Sequence, residues 1–204
     1  MKKTIFLLYG IASYALFFGT YCYAVGFVTN LIVPTTLDGI RSSSVGRALL
    51  INIGLLTLFA LQHSIMARPA FKKWWTAYVP EPIERSTYVL LSSLCMILLF
   101  NYWQPIGGVV WSVESPMIYW LLQGLSLFGF VIVLISTFLI NHFDLFGLRQ
   151  VWMYFRSKLY THLKFRTPFF YKYVRHPLYL GWMIAFWAAP TMTIAHFLFA
   201  AVCT

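Results

Sequence analysis

Long apolar runs decide what this chain can fold into. Residues 5–28 form one such run, and others follow at 48–66, 87–103 and 117–140. A helix needs about 20 apolar residues to cross a hydrocarbon core of ~30 Å. Only helices and closed barrels satisfy their backbone groups without water, so runs of this length read as spanning helices. The first run exceeds the roughly 7–15 apolar residues of a secretory signal core and is read as a retained span. Only 10% of the 204 residues are charged and 60% are apolar, against about 25% charged in soluble domains. The expected class is all-α: one integral-membrane domain over 1–204, a polytopic helix bundle with four full spans.

The fifth apolar stretch, 178–203, behaves differently. Its first part, 178–189, makes roughly 18 Å of helix, too short to cross. Pro190-Thr191-Met192-Thr193 then interrupts it before the apolar run resumes at 194–203. Proline and two threonines favour a break over a kinked span, so a hairpin of two short helices is expected.

Charge orients the bundle. Eleven of the 15 Lys and Arg fall in two loops, 67–86 and 141–177, while 104–116 has none. Clustered cations flanking spans mark cytoplasmic loops, which places the amino terminus and both basic loops inside, as in a bacterial inner membrane. The net charge of +10 therefore points to anionic lipid headgroups as partners, not to nucleic acid. Three cysteines with no C-x-x-C pair indicate neither a disulfide framework nor a thiol metal site.

This topology gathers polar groups into one layer. Gln62 and His63 end the second span; Asn141, His142 and Asp144 end the fourth; Arg175 and His176 open the last segment. Polar residues from separate spans at one depth suggest a site, although plain interfacial solvation also fits. Haem would want histidines facing each other at two depths. Zinc would want a motif such as H-E-x-x-H, which is missing. No hydrolytic nucleophile motif or glycine-rich phosphate loop stands out. What remains is group transfer involving a ligand with a charged end and a flat aromatic end. His63 and His142 are the candidate proton acceptors and Asn141 the candidate substrate contact.

The stretch Tyr171-Lys172-Tyr173-Val174-Arg175-His176-Pro177-Leu178-Tyr179-Leu180-Gly181 opens the last segment. Proline suits a first helical position, and the free N–H groups of that turn can hold an anion. Interfacial anchoring by its aromatic and basic residues is the competing reading. The pattern Arg-His-Pro-x-Tyr-x-Gly resembles the cofactor motif of membrane methyltransferases related to isoprenylcysteine carboxyl methyltransferase. Leu61 through Pro69, Glu84 through Val89 and Phe138 through Gln150 extend the resemblance along nearly the whole chain. Within that group it is similar to the bacterial enzymes that methylate methanethiol, and proteins of the NnrU type share the general pattern.

The resemblance implies S-adenosyl-L-methionine as cofactor and a small thiol as substrate, with dimethyl sulfide as product. A lipid-linked thiol or carboxylate acceptor, or a noncatalytic relative, are the alternatives. It places His176, Pro177, Leu178 and Tyr179 in the cofactor pocket beside Arg175. Tyr171 would be its upstream aromatic, Gln150 an earlier contact, and 163–166 a backbone-contacting segment. Arg149, Arg166 and Arg175 would favour the thiolate. In the resembled family the chain runs on past the hairpin to paired glutamates and an arginine. Ending at Thr204, this sequence is expected to bind the cofactor weakly.

Overall fold

The computed structural model describes residues 1–41, 43–161, 171 and 174–204. Four helices are long and apolar enough to cross a membrane. They are α1 (Lys2–Thr29), α2 (Val45–Ala67), α4 (Glu81–Tyr102) and α5 (Pro116–Ile140). Between α2 and α4 lies the short α3 (Pro69–Trp75), and α5 is followed by α6 (His142–Leu145) and α7 (Leu148–Phe155). Prolines at the first or second position open α3, α4 and α5, where a missing N–H costs nothing. Helix α1 stops at Asn30, whose left-handed backbone returns its N–H to the Gly26 carbonyl.

The last apolar stretch is two helices, α8 (Pro177–Trp187) and α9 (Ile194–Cys203), divided by the strand β2 (Thr191–Thr193). The break at Pro190–Thr193 thus prevails over a kinked span. Helix α9 turns back onto α8, with the Phe199 ring 5.1 Å from that of Phe186.

The stretch 104–116 departs from its reading as a plain loop. It contains β1 (Val109–Ser112), which pairs antiparallel with β2 through Val109–Thr193, Trp111–Met192 and Ser112–Thr191. The reason is backbone satisfaction. The helix break frees polar groups, and this stretch fills them: Val113 N–H donates to Pro190 O at 3.0 Å and Ile194 N–H to Gly108 O at 3.2 Å.

Two kinds of packing join the elements. Helices α5 and α8 meet where Gly129 faces Gly181 and Ala185; a Cβ on Gly129 would stand 2.5 Å from Ala185 N. Small residues let backbones approach in the absence of a hydrophobic drive between helices. Away from that crossing, aromatic rings lock α1, α4 and α9. Phe27 lies 4.9 Å from Phe100, and Trp103 lies 5.8 Å from Phe199. All three of Phe27, Phe100 and Trp103 are buried.

The ends of α2 and α5 and the starts of α4 and α8 then share one end of the bundle, with α3, α6 and α7. Most cations of the described chain lie at this basic end. The β1–β2 pair and the α1–α2 connection form the far end.

Candidate functional site

At the basic end a cavity of about 780 Å³ opens between α3, α4, α6 and α7. Its size falls within the ~300–1,000 Å³ of small-molecule sites. Lys72 and Lys73 of α3, with the neighbouring Glu84 and Arg85 of α4, line one part of it. The opposite wall comes from Asn141, Asp144 and Gln150, with Tyr154, Lys158 and Tyr160 beyond.

The chain builds that wall by an abrupt change of direction. Asn141 ends α5 with φ 142° and ψ 83°, a strained region for a residue other than glycine. Its carbonyl accepts from the N–H groups of Asp144 and Leu145 at 3.1 and 2.9 Å, starting α6. Gly147, at φ 89°, makes the next turn, and its close approach to Ser86 leaves 2.6 Å between a Cβ there and Ser86 Oγ. Glycine meets both demands, the left-handed backbone and the lack of space.

Asp144 is the hub of the polar wall. Arg149 donates to its carboxylate at 2.8 Å, and the Tyr160 hydroxyl donates to both oxygens at 3.1 and 3.2 Å. The Arg149 guanidinium also stacks 5.1 Å above the Tyr160 ring. Burial first, and then the Asp144 charge, raise the Tyr160 phenol above its ordinary value, so it remains a donor. On the other wall burial, followed by the charge of Arg85, lowers Lys72 against the opposing pull of Glu84.

Gln150 is only 9% exposed. Its amide nitrogen donates to the Asp144 carbonyl at 3.0 Å. Its Oε1 is buried with no hydrogen-bond partner among the described residues. A buried acceptor left unpaired costs roughly 1–3 kcal/mol, and a ligand donor would remove that cost. The lining suits a ligand with N–H donors for this oxygen, an anionic group for the lysines, a cationic group for the acids and a flat ring for the tyrosines.

Of the residues singled out in the sequence, Asn141, Asp144 and Gln150 line this cavity. His142 stands behind it, 2% exposed, with the Tyr14 hydroxyl 2.8 Å from Nε2 and the Thr137 hydroxyl 2.8 Å from Nδ1. His63 faces the Tyr88 hydroxyl at 2.9 Å and stacks on Phe59 at 5.3 Å, at the same end but outside the lining. Pro177 is buried at the start of α8, while Arg175, His176 and Tyr179 are exposed and Tyr171 is half-buried. The His176 and Tyr179 rings lie 5.6 Å apart. None of these motif residues, nor Leu178, is among the residues that line the cavity. Residues 163–166 lie outside the described residues.

Sequence reading passed over Lys72, Glu84, Arg85, Lys158 and Tyr160 as site residues. Glu84-Arg85 did stand in a stretch that carried the resemblance. Tyr160 had no signal, because its role depends on reaching back to Asp144.

Comparison with known proteins follows the same lines. The sequence model of the NnrU protein family matches residues 51–201. A methanethiol S-methyltransferase of Crocosphaera subtropica is 55% identical over 204 residues, covering all of this chain and 80% of that protein. One from Mycobacterium tuberculosis is 48% identical over 200 residues, 98% of this chain and 82% of the relative. Nurim of Xenopus laevis is 34% identical over 170 residues, 78% of this chain and 59% of its own length. No solved structure matches the chain.

Proposed function

The chain belongs to the NnrU protein family, and we propose that it methylates methanethiol to dimethyl sulfide in a membrane. The observation that carries this reading is 55% identity along the full chain with a protein of that activity. The cavity at the basic end supports it with the required polarity and size.

S-adenosylmethionine is the proposed donor; when bound, it supplies a methyl group on a sulfonium, open to displacement by a thiolate. The residues of the chain hold the reactants. Gln150 Oε1 would accept from the donor, Asp144 and Glu84 would hold its cationic part, and Lys72 and Lys73 its carboxylate. Tyr171, Arg175, His176, Pro177, Leu178 and Tyr179 are assigned to the cofactor side on their sequence resemblance. Asn141 is assigned to the thiol.

A thiol with an ordinary pKa near 8.5 is mostly protonated at neutral pH. Positive charge from Arg85 favours the thiolate, and its proton passes to water. Holding two reactants in line contributes up to ~7–11 kcal/mol in favourable cases. We place the basic end on the cytoplasmic face of a bacterial inner membrane, as its clustered cations favour.

Purified protein supplied with methanethiol and S-adenosylmethionine should release dimethyl sulfide, read by headspace gas chromatography. No product above a heat-inactivated control would defeat the assignment. Faster turnover of a prenylated cysteine would transfer it to a lipid-linked acceptor.

A further inference from the structure

We infer that His142 is a positioning residue, a neutral bridge between α1 and α5 that holds the cavity wall formed by Asn141 and Asp144. The inference rests on the proposed function for its kinetic part only. It assigns His142 a different role from proton acceptor, which its sequence position had suggested.

The proton on each atom can be placed from the hydrogen bonds. Thr137 donates its single hydroxyl proton to the Leu134 carbonyl at 2.6 Å. At its contact with His142 Nδ1, 2.8 Å away, the hydroxyl must therefore accept, so Nδ1 carries hydrogen. The other nitrogen, Nε2, then accepts from the Tyr14 hydroxyl at 2.8 Å. Both ring nitrogens are used, and the only lone pair points at α1, away from the cavity.

The packing agrees with this assignment. The Phe138 ring lies parallel to the imidazole at 4.1 Å, and Phe146 meets its edge at 4.8 Å. Phe146 in turn stacks on Phe17 of α1 at 3.8 Å. Helix α6 therefore has two faces. His142 and its neighbour Phe146 fasten to α1, while Asn141, Asp144 and Leu145 line the cavity. A backbone as strained as Asn141 persists only where its surroundings over-determine it, and the His142 bridge is the nearest such constraint. Burial also lowers the imidazole below its ordinary value, in keeping with a neutral ring.

The first test needs no turnover. In protein labelled with ¹⁵N-histidine in detergent, the His142 signals should show protonated Nδ1 and a bare Nε2, unchanged from about pH 5.5 to about pH 8.5, across the range where a free histidine titrates. His142→Gln identifies those signals by their loss. An Nε2–H tautomer, or titration within that range, overturns the inference.

The second test is kinetic. Loss of a general base costs ~10²–10⁴-fold in kcat. For a positioning residue, His142→Gln and Tyr14→Phe should both raise KM for S-adenosylmethionine by about tenfold, with kcat within roughly threefold of wild type. The pH profile of kcat/KM should keep its acidic limb in both. A large fall in kcat in His142→Gln, with Tyr14→Phe unaffected, returns the base role and overturns the inference. Absence of any wild-type turnover would sink the proposed function and leave the tautomer measurement standing.

Discussion

Gln150 concentrates the chemistry of the cavity in one atom. Its amide nitrogen is occupied by the Asp144 carbonyl while its oxygen is buried and unpaired among the described residues. Replacing it with leucine keeps the volume and removes the acceptor. The resting protein loses one short hydrogen bond to the Asp144 carbonyl, two long ones at 3.5 Å to Asp144 and Tyr160, and one unsatisfied oxygen. The long bonds contribute little and the other two terms are of similar size and opposite sign, so its melting temperature should hold. Binding of S-adenosylmethionine should weaken about tenfold by isothermal titration, the worth of one hydrogen bond in a dry site. Unchanged affinity would free Gln150 of that role. Resemblance pointed to this residue, whereas charge and hydropathy alone did not. His142 was visible by its depth in the bundle, but its bridge was not: Tyr14 is 128 residues away in sequence. Its residue type carries no hint of that partner. Spacing reports on neighbours one or two turns along a helix and is silent about what tertiary packing brings beside them.

At the level of elements, the long helices were legible because each apolar run alone fixes a span. The observed α2 and α4 begin earlier than the runs suggested, at Val45 and Glu81. Polar first turns lie outside the apolar core and add nothing to a hydropathy reading. The strands were hidden for another reason. Four residues and three residues are too few for a period, and they pair only because a helix break left its backbone unsatisfied. Contact between α5 and α8 was also hidden, since a glycine in an apolar run does not announce its partner. Gly129→Ala tests that crossing. The new Cβ would meet Ala185 N at 2.5 Å and Gly181 O at 2.7 Å, backbone atoms that cannot swing aside. Overpacking of this kind costs ~1–3 kcal/mol and should appear as a lowered melting temperature in detergent. Gly124→Ala is the control, because a methyl group there would meet no neighbour within 4 Å. Equal melting temperatures for the two variants would contradict the close approach.

Across the whole molecule, the two ends have separate tasks. The basic end carries the cavity, and the far end is closed by a buried polar knot. His196 Nδ1 lies 2.9 Å from the Asp38 carboxylate, with the side chains 2% and 9% exposed. Its Nε2 faces the Phe186 carbonyl at 3.0 Å, and Thr193 and Asn30 donate to the same carboxylate. The α1–α2 connection is thereby tied to the turn between α8 and α9. Burial alone would raise the Asp38 carboxyl, but hydrogen bonding and charge from His196, with the bonds from Thr193 and Asn30, lower it below its ordinary value. A depressed carboxyl stabilises the fold above its unfolded pKa, near 3.9, and that contribution fades as pH falls through the folded value. Asp38→Asn removes one partner of a buried pair, a change worth about 3 kcal/mol. The difference in melting temperature between wild type and variant should be full at neutral pH and shrink below about pH 4. Because the knot lies at the opposite end from Gln150 and Asp144, KM for the methyl donor should stay at the wild-type value. Thermal denaturation across pH, beside steady-state kinetics at neutral pH, checks both halves. A stability gap that persists in acid would remove the carboxylate from the explanation, and a raised KM would show that the ends are coupled.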